Sequence, residues 1–287
     1  MDGSRNTAIL LLSCPDRKGL VAGVANFIFQ NNGNIIHADQ HTDMERLIFF
    51  QRVEWELRGF RIPREEIADA FRPLAESFDI TWDLRFSDDV CRTAIFVSKA
   101  EHCIYDLLLR QRIGELKTTI PLIVSNHADL RPIGDIFGIP FQCYDVNGST
   151  QAVAEHQILE RLEKDSIDCM VLARYMRILS REFVSKYPNK IINIHHSFLP
   201  AFAGSRPYHR AYDRGVKIIG ATAHYVTAEL DEGPIIQQDV VRVSHRDSVE
   251  DLIVKGRDLE KVVLARAVKL HLSNRILVYG NKTVVFD

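Results

Sequence analysis

The sequence lacks the features that define several classes of protein. Cysteine occurs only five times in 287 residues, the count is odd, and no Cys-x-x-Cys pair is present. This composition argues against a disulfide framework or a zinc ribbon and favours unpaired thiols in a reducing compartment. No apolar run approaches the roughly 18 residues of a membrane span, and no basic segment leads into an apolar run near residue 1. We therefore expect a cytoplasmic protein with no membrane partner.

A surplus of charge of one sign is also absent. The 36 Lys and Arg residues nearly balance the 38 Asp and Glu residues, which leaves a net charge of -2. Proteins that bind nucleic acid usually carry a basic surplus, so no nucleic-acid partner is expected. The length is close to that of two average domains and allows a large core without a disulfide or a metal ion.

The first 86 residues have the pattern of a small ferredoxin-like unit. Apolar strand-like runs alternate with helical spacing in the order β-α-β-β-α-β, over residues 7–14, 18–32, 35–43, 46–57, 64–78 and 79–86. A polar joint, Ser87-Asp88-Asp89, follows the last strand. We predict a first domain over residues 1–86.

From residue 92 the pattern changes to strands that alternate with helices. Strands are predicted at 93–97, 120–125, 169–173 and 190–194, and helices at 101–112 and 150–164. Such alternation favours a mostly parallel, doubly wound sheet, and an α/β domain is predicted over residues 92–287. Two consecutive strands follow at 218–226 and 234–243, then a long helix with Ser248 and Asp251 as its capping pair, and two short final strands.

Two polar stretches are candidates for chemistry. Asn193 and His195 lie where a buried strand ends, and alternate positions on a strand share a face, so an amide and an imidazole can converge on one atom. Such a pair suits the stabilisation of an oxyanion. No cysteine or carboxylate nearby completes a ligand set with His195 and His196, so no metal is expected, although metal and purely structural histidines are alternatives. The acidic loop around Asp231 could hold a water molecule, or it could be only a solvated turn.

These stretches resemble a known family. Asn193-Ile194-His195-His196-Ser197-Phe198-Leu199-Pro200, Leu230-Asp231-Glu232-Gly233-Pro234 and Arg174-Tyr175-Met176-Arg177-Ile178-Leu179-Ser180 are similar to the signature of formyltransferases that use formyltetrahydrofolate. The resemblance implies a catalytic trio of Asn193, His195 and Asp231. It also implies that the pterin lies against Met176, Arg177, Ile178 and Leu179, and that a loop with Val226, Thr227, Glu229 and Leu230 covers it. His224 either supports the trio or is a packed strand histidine.

Residues 1–86 resemble an ACT domain, a module that usually binds amino acids. The resemblance implies an effector loop at Asp16, Lys18 and Gly19, with glycine or methionine as the expected ligand, since helix N-termini attract carboxylates. The alternative is that this half serves only as an oligomerisation surface. Pairing of such modules makes a homo-oligomer the expected state.

An ACT domain joined to this catalytic domain resembles the formyltetrahydrofolate deformylase family. The resemblance implies hydrolysis of 10-formyltetrahydrofolate to formate and tetrahydrofolate, with water positioned by Asp231, an oxyanion held by Asn193 and His195, and no cofactor. It also implies that the formate supplies purine synthesis and that the reaction balances the one-carbon pool. A transferase and an amino-acid sensor that only binds folate are the alternatives.

The acceptor distinguishes the hydrolase from its transferase relatives. The predicted turn after the strand 93–97 contains no glycine before Gly114, and close approach of backbone N–H groups to a phosphate usually requires glycine. Arg206, Tyr208 and His209 would then fill the space that a transferase leaves for its amine. Alternatively, they belong to an ordinary helix start after Pro207.

Overall fold

The computed structural model describes residues 6–200 and 207–286. The chain divides into two structural units. The first contains Met1–Val90 with Ser273–Tyr279 and Val284–Asp287, and the second contains Cys91–Leu272 with Gly280–Thr283. The division after Val90 lies beside the polar joint seen in the sequence. The arms of the final hairpin group with the first unit, which differs from the predicted range 92–287.

The first unit is built on a four-stranded antiparallel sheet with the order β2-β3-β1-β4. Its elements are β1 (Thr7–Pro15), α1 (Leu20–Gln30), β2 (Asn34–Asp43), β3 (Ile48–Glu56), α2 (Ile67–Ser77) and β4 (Thr81–Phe86). A single 3₁₀ turn at Arg64–Glu66 precedes α2. This element order and this strand order confirm the ferredoxin-like prediction.

Within residues 91–200 and 207–272, the second unit contains a seven-stranded sheet and six helices. Its elements are β5 (Cys91–Val97), α3 (His102–Arg112), β6 (Thr118–Ser125), α4 (Arg131–Phe137), β7 (Phe141–Cys143), α5 (Gln151–Lys164), β8 (Cys169–Leu172), α6 (Arg181–Lys186), β9 (Ile191–His195), α7 (Pro207–Arg214), β10 (Ile218–Tyr225), β11 (Ile235–Arg242) and α8 (Val249–Leu272). Ser248 and Asp251 cap α8 reciprocally as predicted, because each side chain accepts from the other residue's backbone N–H.

The strand order of this sheet creates a crevice at one edge. The order is β11-β10-β9-β8-β5-β6-β7, and the five strands from β9 to β7 are parallel, which confirms the predicted mostly parallel α/β fold. The chain runs outward from β5 through β6 to β7 and then returns to β8 beside β5. Ligands bind at the carboxyl ends of the strands at such a reversal. The loops that follow β5, β8 and β9 all lie at that edge.

Burial on both faces of β1 explains why this strand is almost wholly apolar. Leu10 and Leu12 pack with Val24 and Phe71 from the two helices. On the other face, Leu11 lies in a second cluster with apolar side chains from β3 and from the last two strands, β12 (Ile276–Tyr279) and β13 (Lys282–Val285). The hairpin arms therefore belong to the first unit because they cover apolar surface that the two helices leave uncovered.

Two further observations concern membrane and thiol chemistry. No helix in the described part of the chain combines the length and the apolar character needed to cross a lipid bilayer. All five cysteines are free thiols, and the Sγ atoms of Cys91 and Cys169 lie 3.4 Å apart on neighbouring strands.

Candidate active site

A cavity of about 600 Å³ opens at the crevice of the second unit. Its lining includes Asn193 and His195 at the end of β9 and Asp231 in the loop between β10 and β11. The structure therefore brings together the three side chains that the sequence singled out, although 38 positions separate the first from the last. The cavity is also lined by the loops after β8 and β10, which hold the predicted pterin contacts.

Strand register places Asn193 beside His224. The two residues are direct partners across the antiparallel β9–β10 pair, so their side chains lie on the same face. The ring Nδ1 of His224 donates to the carbonyl of Tyr225 at 2.9 Å. The neutral ring then has an acceptor at Nε2, which receives the Asn193 Nδ2 amide at 3.3 Å. His224 is buried and thus fixes the orientation of the Asn193 amide.

Asp231 stands on a tightly folded loop. Its backbone is left-handed, with φ of 56°, a conformation that aspartate and asparagine tolerate better than most residues. A Cβ atom on Gly233 would meet the carbonyl oxygen of Tyr225 at 1.7 Å, so only glycine fits there. The turn of the final hairpin also holds this loop, because Asn281 Nδ2 donates to the Glu232 carbonyl at 2.8 Å and Thr283 Oγ1 donates to the Ile235 carbonyl at 2.6 Å.

Asp231 and His195 form a polarised pair. The distance from His195 Nδ1 to Asp231 Oδ2 is 3.2 Å, and His224 Nε2 lies 3.6 Å from Asp231 Oδ1. The hydrogen bond from His195 holds the pKa of Asp231 well below its ordinary value, although burial opposes it, so the carboxylate is ionised at neutral pH. His195 is buried, and its Nε2 has no hydrogen-bond partner among the described residues. The His195 residue itself lines the cavity.

The predicted pterin contacts form an apolar part of the cavity lining. Met176, Ile178 and Leu230 are 61%, 63% and 61% exposed, which is unusual for large apolar side chains that line a cavity. Leu179 also lines the cavity, but its side chain is mostly buried in the core below. Arg177, Val226, Thr227 and Glu229 complete this part of the lining.

Buried polar groups fix the loop after β8. Ser98 Oγ accepts from the backbone N–H of Met176 at 2.9 Å, and Gln151 Nε2 donates to the Ile178 carbonyl at 2.9 Å. The buried carboxylate of Glu155 accepts from the N–H of Ser180 at 3.0 Å. These three contacts hold the backbone of the loop in one conformation.

A buried polar group that sequence reasoning missed lies beside this site. Glu260 on α8 is only 1% exposed, and its carboxylate receives His102 Nε2 at 2.8 Å and Tyr208 Oη at 2.7 Å, with Arg174 Nε at 3.5 Å. Arg174 also contacts the ring Nδ1 of His196. We refer to Glu260, His102, Arg174, His196 and Tyr208 as the Glu260 cluster, and all five line the cavity.

One trio within the described residues has the spacing of a metal site. The ligand atoms of His102, Cys103 and Glu260 lie within 4.8 Å of one another. Burial raises the pKa of the Cys103 thiol well above its ordinary value, and Glu260 already accepts hydrogen bonds from His102 and Tyr208 and pairs with the guanidinium of Arg174. These neighbours disfavour a second cation at this place.

Of the remaining predicted site residues, Tyr208 and His209 line the cavity, and the others lie elsewhere or outside the described residues. Arg206 falls in the part of the chain that the structure does not describe. Tyr208 lies in the first turn of α7, which begins at Pro207, so the alternative that these residues form an ordinary helix start also applies. In the first unit, Asp16 and Lys18 are exposed and Gly19 adopts φ of 96° just before α1.

Comparison with known proteins agrees with this architecture. The family model described as formyl transferase matches residues 91–268, and the ACT domain model matches residues 8–76. The formyltetrahydrofolate deformylase of Synechocystis sp. is 61% identical over 280 residues, which are 98% of each chain. The crystal structure of a formyltetrahydrofolate deformylase from Pseudomonas syringae has a TM-score of 0.97 at 45% identity and covers 100% of this chain and 96% of that one.

A second kind of structural neighbour covers a smaller share of the chain. The glycinamide ribonucleotide transformylase 1 from Symbiobacterium toebii has a TM-score of 0.66 at 30% identity and covers 71% of this chain and 98% of that one. The fold and the cavity therefore define a protein with an ACT domain followed by a formyl transferase domain. Within that class, the chain belongs to the formyltetrahydrofolate deformylase family.

Proposed function

We propose that this chain hydrolyses 10-formyltetrahydrofolate to formate and tetrahydrofolate without a cofactor, and that Asn193, His195 and Asp231 are its catalytic residues. The observation that carries the proposal is the environment of His195, which lines the cavity, has its Nδ1 bound to Asp231 and has a buried Nε2 with no partner among the described residues. The names of the relatives from Synechocystis and Pseudomonas support the reaction.

The substrate lies with its pterin against the loop after β8. Met176, Ile178 and Leu230 supply exposed apolar surface for a flat heterocycle, and the fixed backbone of that loop supplies hydrogen-bonding groups. Val226, Thr227 and Glu229 lie on the segment that covers it, with Arg177 and Leu179 below. This placement brings the formyl group to the end of β9.

Asp231 positions the attacking water. The lowered pKa of Asp231 makes its carboxylate a weak base before the water attacks. The first role of this carboxylate is therefore to accept a hydrogen bond from the water and to stabilise a protonated His195. The proton of the water becomes acidic only as its oxygen bonds to the formyl carbon. Asp231 can accept that proton at this stage.

Asn193 and His195 act on the oxygen and the nitrogen of the formamide group. The Asn193 amide, oriented by His224, stabilises the negative charge on the formyl oxygen, and His195 Nε2 shares this role. When the C–N bond breaks, a proton from His195 goes to the leaving folate nitrogen, and formate is released with tetrahydrofolate. In this proposal the formate supplies purine synthesis, and the reaction balances the one-carbon pool.

The test is the product balance with purified protein and 10-formyltetrahydrofolate as the sole substrate. Formate and tetrahydrofolate should appear in equal amounts without any added amine. Tetrahydrofolate that forms only after an amine is added would identify a transferase instead. Folate binding without turnover would identify a sensor.

For the first unit, we propose an amino-acid effector at the loop of Asp16, Lys18 and Gly19. The match to the ACT domain model and the exposed position of Asp16 and Lys18 support this assignment. The rate of formate release should change when glycine or methionine is added, and light scattering should report a homo-oligomer. An unchanged rate with both amino acids would leave this half as an assembly module.

A further inference from the structure

The fold of the second unit does not by itself specify the acceptor of the formyl group. The Symbiobacterium toebii protein shares this fold and is named as a glycinamide ribonucleotide transformylase. Selection among acceptors must therefore be due to side chains around the reacting carbon. Building on the hydrolysis proposed above, we infer that the Glu260 cluster fills the space that an amine acceptor would need. Within the cluster, the ring of Tyr208 excludes an amine from the formyl carbon but leaves room for water.

The cluster lies next to the proposed catalytic histidine. The rings of His195 and His196 stack with their centroids 5.1 Å apart, and the His196 ring lies 6.0 Å from that of Tyr208. An acceptor has to reach the formyl carbon beside His195 without displacing the pterin. Once the proposed catalytic trio and the pterin contacts are set aside, the cluster supplies most of the polar lining of the cavity.

The carboxylate of Glu260 is already engaged within the cluster. Burial raises the pKa of Glu260, but the hydrogen bond from His102, the charge of Arg174 and the hydrogen bond from Tyr208 together bring it below its ordinary value. The carboxylate is thus ionised, accepts two hydrogen bonds and lies 3.5 Å from Arg174 Nε. An amine would have to enter beside these packed groups, and a phosphate would meet an anion that already pairs with the guanidinium of Arg174.

Close packing fixes the ring of Tyr208. A Cβ atom on Gly256 of α8 would meet Tyr208 Oη at 2.1 Å and Cζ at 2.3 Å, so the phenol lies directly against the backbone of that helix. One helical turn further along α8, Glu260 accepts the phenol hydroxyl at 2.7 Å. The ring is therefore held from two sides and cannot move aside cheaply when an acceptor approaches.

A water molecule needs much less room than an amine. It requires about 30 Å³ and a few polar partners, which the proposed catalytic trio supplies. Any amine brings at least one substituent on its nitrogen, and that substituent has to occupy the space of the Tyr208 ring. Steric exclusion by a packed ring thus discriminates against amines without weakening the attack by water.

The experiment measures how the formyl group partitions between water and an added amine. Each variant receives 10-formyltetrahydrofolate with and without glycinamide, and formate and N-formylglycinamide are quantified by mass spectrometry against a reaction without protein. In the transfer reaction the amine nitrogen replaces the folate nitrogen on the formyl carbon and loses one proton, which the folate nitrogen gains. The wild type should give formate alone, and Tyr208→Ala should shift the ratio of N-formylglycinamide to formate by roughly tenfold or more.

Two controls distinguish the steric effect of the Tyr208 ring from the effect of its hydrogen bond to Glu260. Tyr208→Phe keeps the ring and loses only the hydroxyl that Glu260 accepts, so its products should partition as in the wild type. Tyr212→Ala makes the same truncation on the same helix, at a side chain that is 49% exposed and outside the cavity lining, and should also form no N-formylglycinamide. If circular dichroism shows that Tyr208→Ala is unfolded, Tyr208→Leu takes its place, because leucine keeps part of the volume.

The outcomes distinguish the acceptor inference from the proposed hydrolysis. A wild type that releases no formate overturns the hydrolysis itself. A wild type that releases formate, together with a folded Tyr208 variant that forms no N-formylglycinamide, overturns the role of Tyr208 alone. Amine transfer by Tyr208→Phe equal to that by Tyr208→Ala would also contradict steric exclusion, since it would assign the effect to the lost hydroxyl.

Discussion

His195 donates through Nδ1 to the carboxylate of Asp231 at 3.2 Å, and this contact joins the end of a strand to a left-handed loop residue 36 positions later. The second ring nitrogen of His195 is buried without a partner among the described residues, and the residue lines the cavity. Every step of the proposed hydrolysis depends on this one geometry.

Replacement of Asp231 by asparagine is expected to lower the rate of formate release roughly 10²–10³-fold. Asparagine tolerates the left-handed backbone at this position, so the change removes the charge without adding backbone strain. The folate should still bind, because the pterin contacts are untouched. Stopped assays of formate and equilibrium dialysis of the folate measure the two effects, and near-normal turnover would contradict the role of Asp231.

Gly233→Ala is expected to reduce formate release by roughly 10²-fold through displacement of the Asp231 loop. The added Cβ atom would lie 1.7 Å from the Tyr225 carbonyl oxygen, so the backbone has to shift, and small displacements of a catalytic group are costly. The matched control is Gly148→Ala, where a Cβ atom meets nothing within 4 Å. Equal activities of the two variants would show that the loop can relax at no cost to the site.

Asn281→Ala tests whether the turn of the final hairpin positions the same loop. The side chain donates to the carbonyl of Glu232, the residue after Asp231, and loss of one such hydrogen bond corresponds to roughly a two- to tenfold effect. We expect the decrease in kcat, with KM for the folate nearly constant, because the loop rather than the pterin contacts is loosened. Lys282→Ala, at an exposed position in the same turn, is the control and should leave kcat unchanged.

His196 should make the stability of the protein depend on pH in a defined window. Burial, followed by the charge of Arg174, lowers the pKa of His196 from 6.5 to about 4. As the pH falls from 6.5 towards 4, the unfolded chain binds a proton that the folded chain does not bind. The free energy of unfolding should therefore decrease by up to about 1.4 kcal/mol per pH unit from this residue.

The His196→Asn variant isolates this contribution. Its free energy of unfolding should fall less steeply than that of the wild type between pH 6.5 and 4. Urea unfolding followed by circular dichroism is the suitable measurement, because both tryptophans, Trp55 and Trp82, lie in the first unit and do not report on His196. Parallel pH dependences of the two proteins would show that His196 does not carry the effect.

Sequence patterns predicted the strands and helices whose apolar residues recur regularly. The order of the first unit and the alternating elements of the second unit followed from such periodicity. Helices α4 and α6 and strand β7 were not predicted, because they have only seven, six and three residues and so too few positions to show a period. The trio was found because alternate positions on a strand place Asn193 and His195 on one face, and because of the family resemblance.

The Glu260 cluster escaped prediction for a physical reason. A glutamate in a long helix normally faces solvent, and the apolar residues of α8 alone do not reveal that this one is buried. A signal was nevertheless present. Leu252, Gly256 and Glu260 follow one another at intervals of four and lie on the buried side of the helix, so a glycine and a carboxylate in phase with the apolar residues mark a place where other side chains approach.

The pairing of β9 with β10 links the proposed role of Asn193 to correct strand assembly. Asn193 meets His224 only in the observed register, and a shift by one residue would turn the His224 ring to the opposite side of the sheet. A chain that paired these strands wrongly could still bury much of its core, yet it would hold the Asn193 amide in no fixed direction. After refolding, the fraction of molecules that regain turnover should therefore equal the fraction in which β9 and β10 have paired in the observed register.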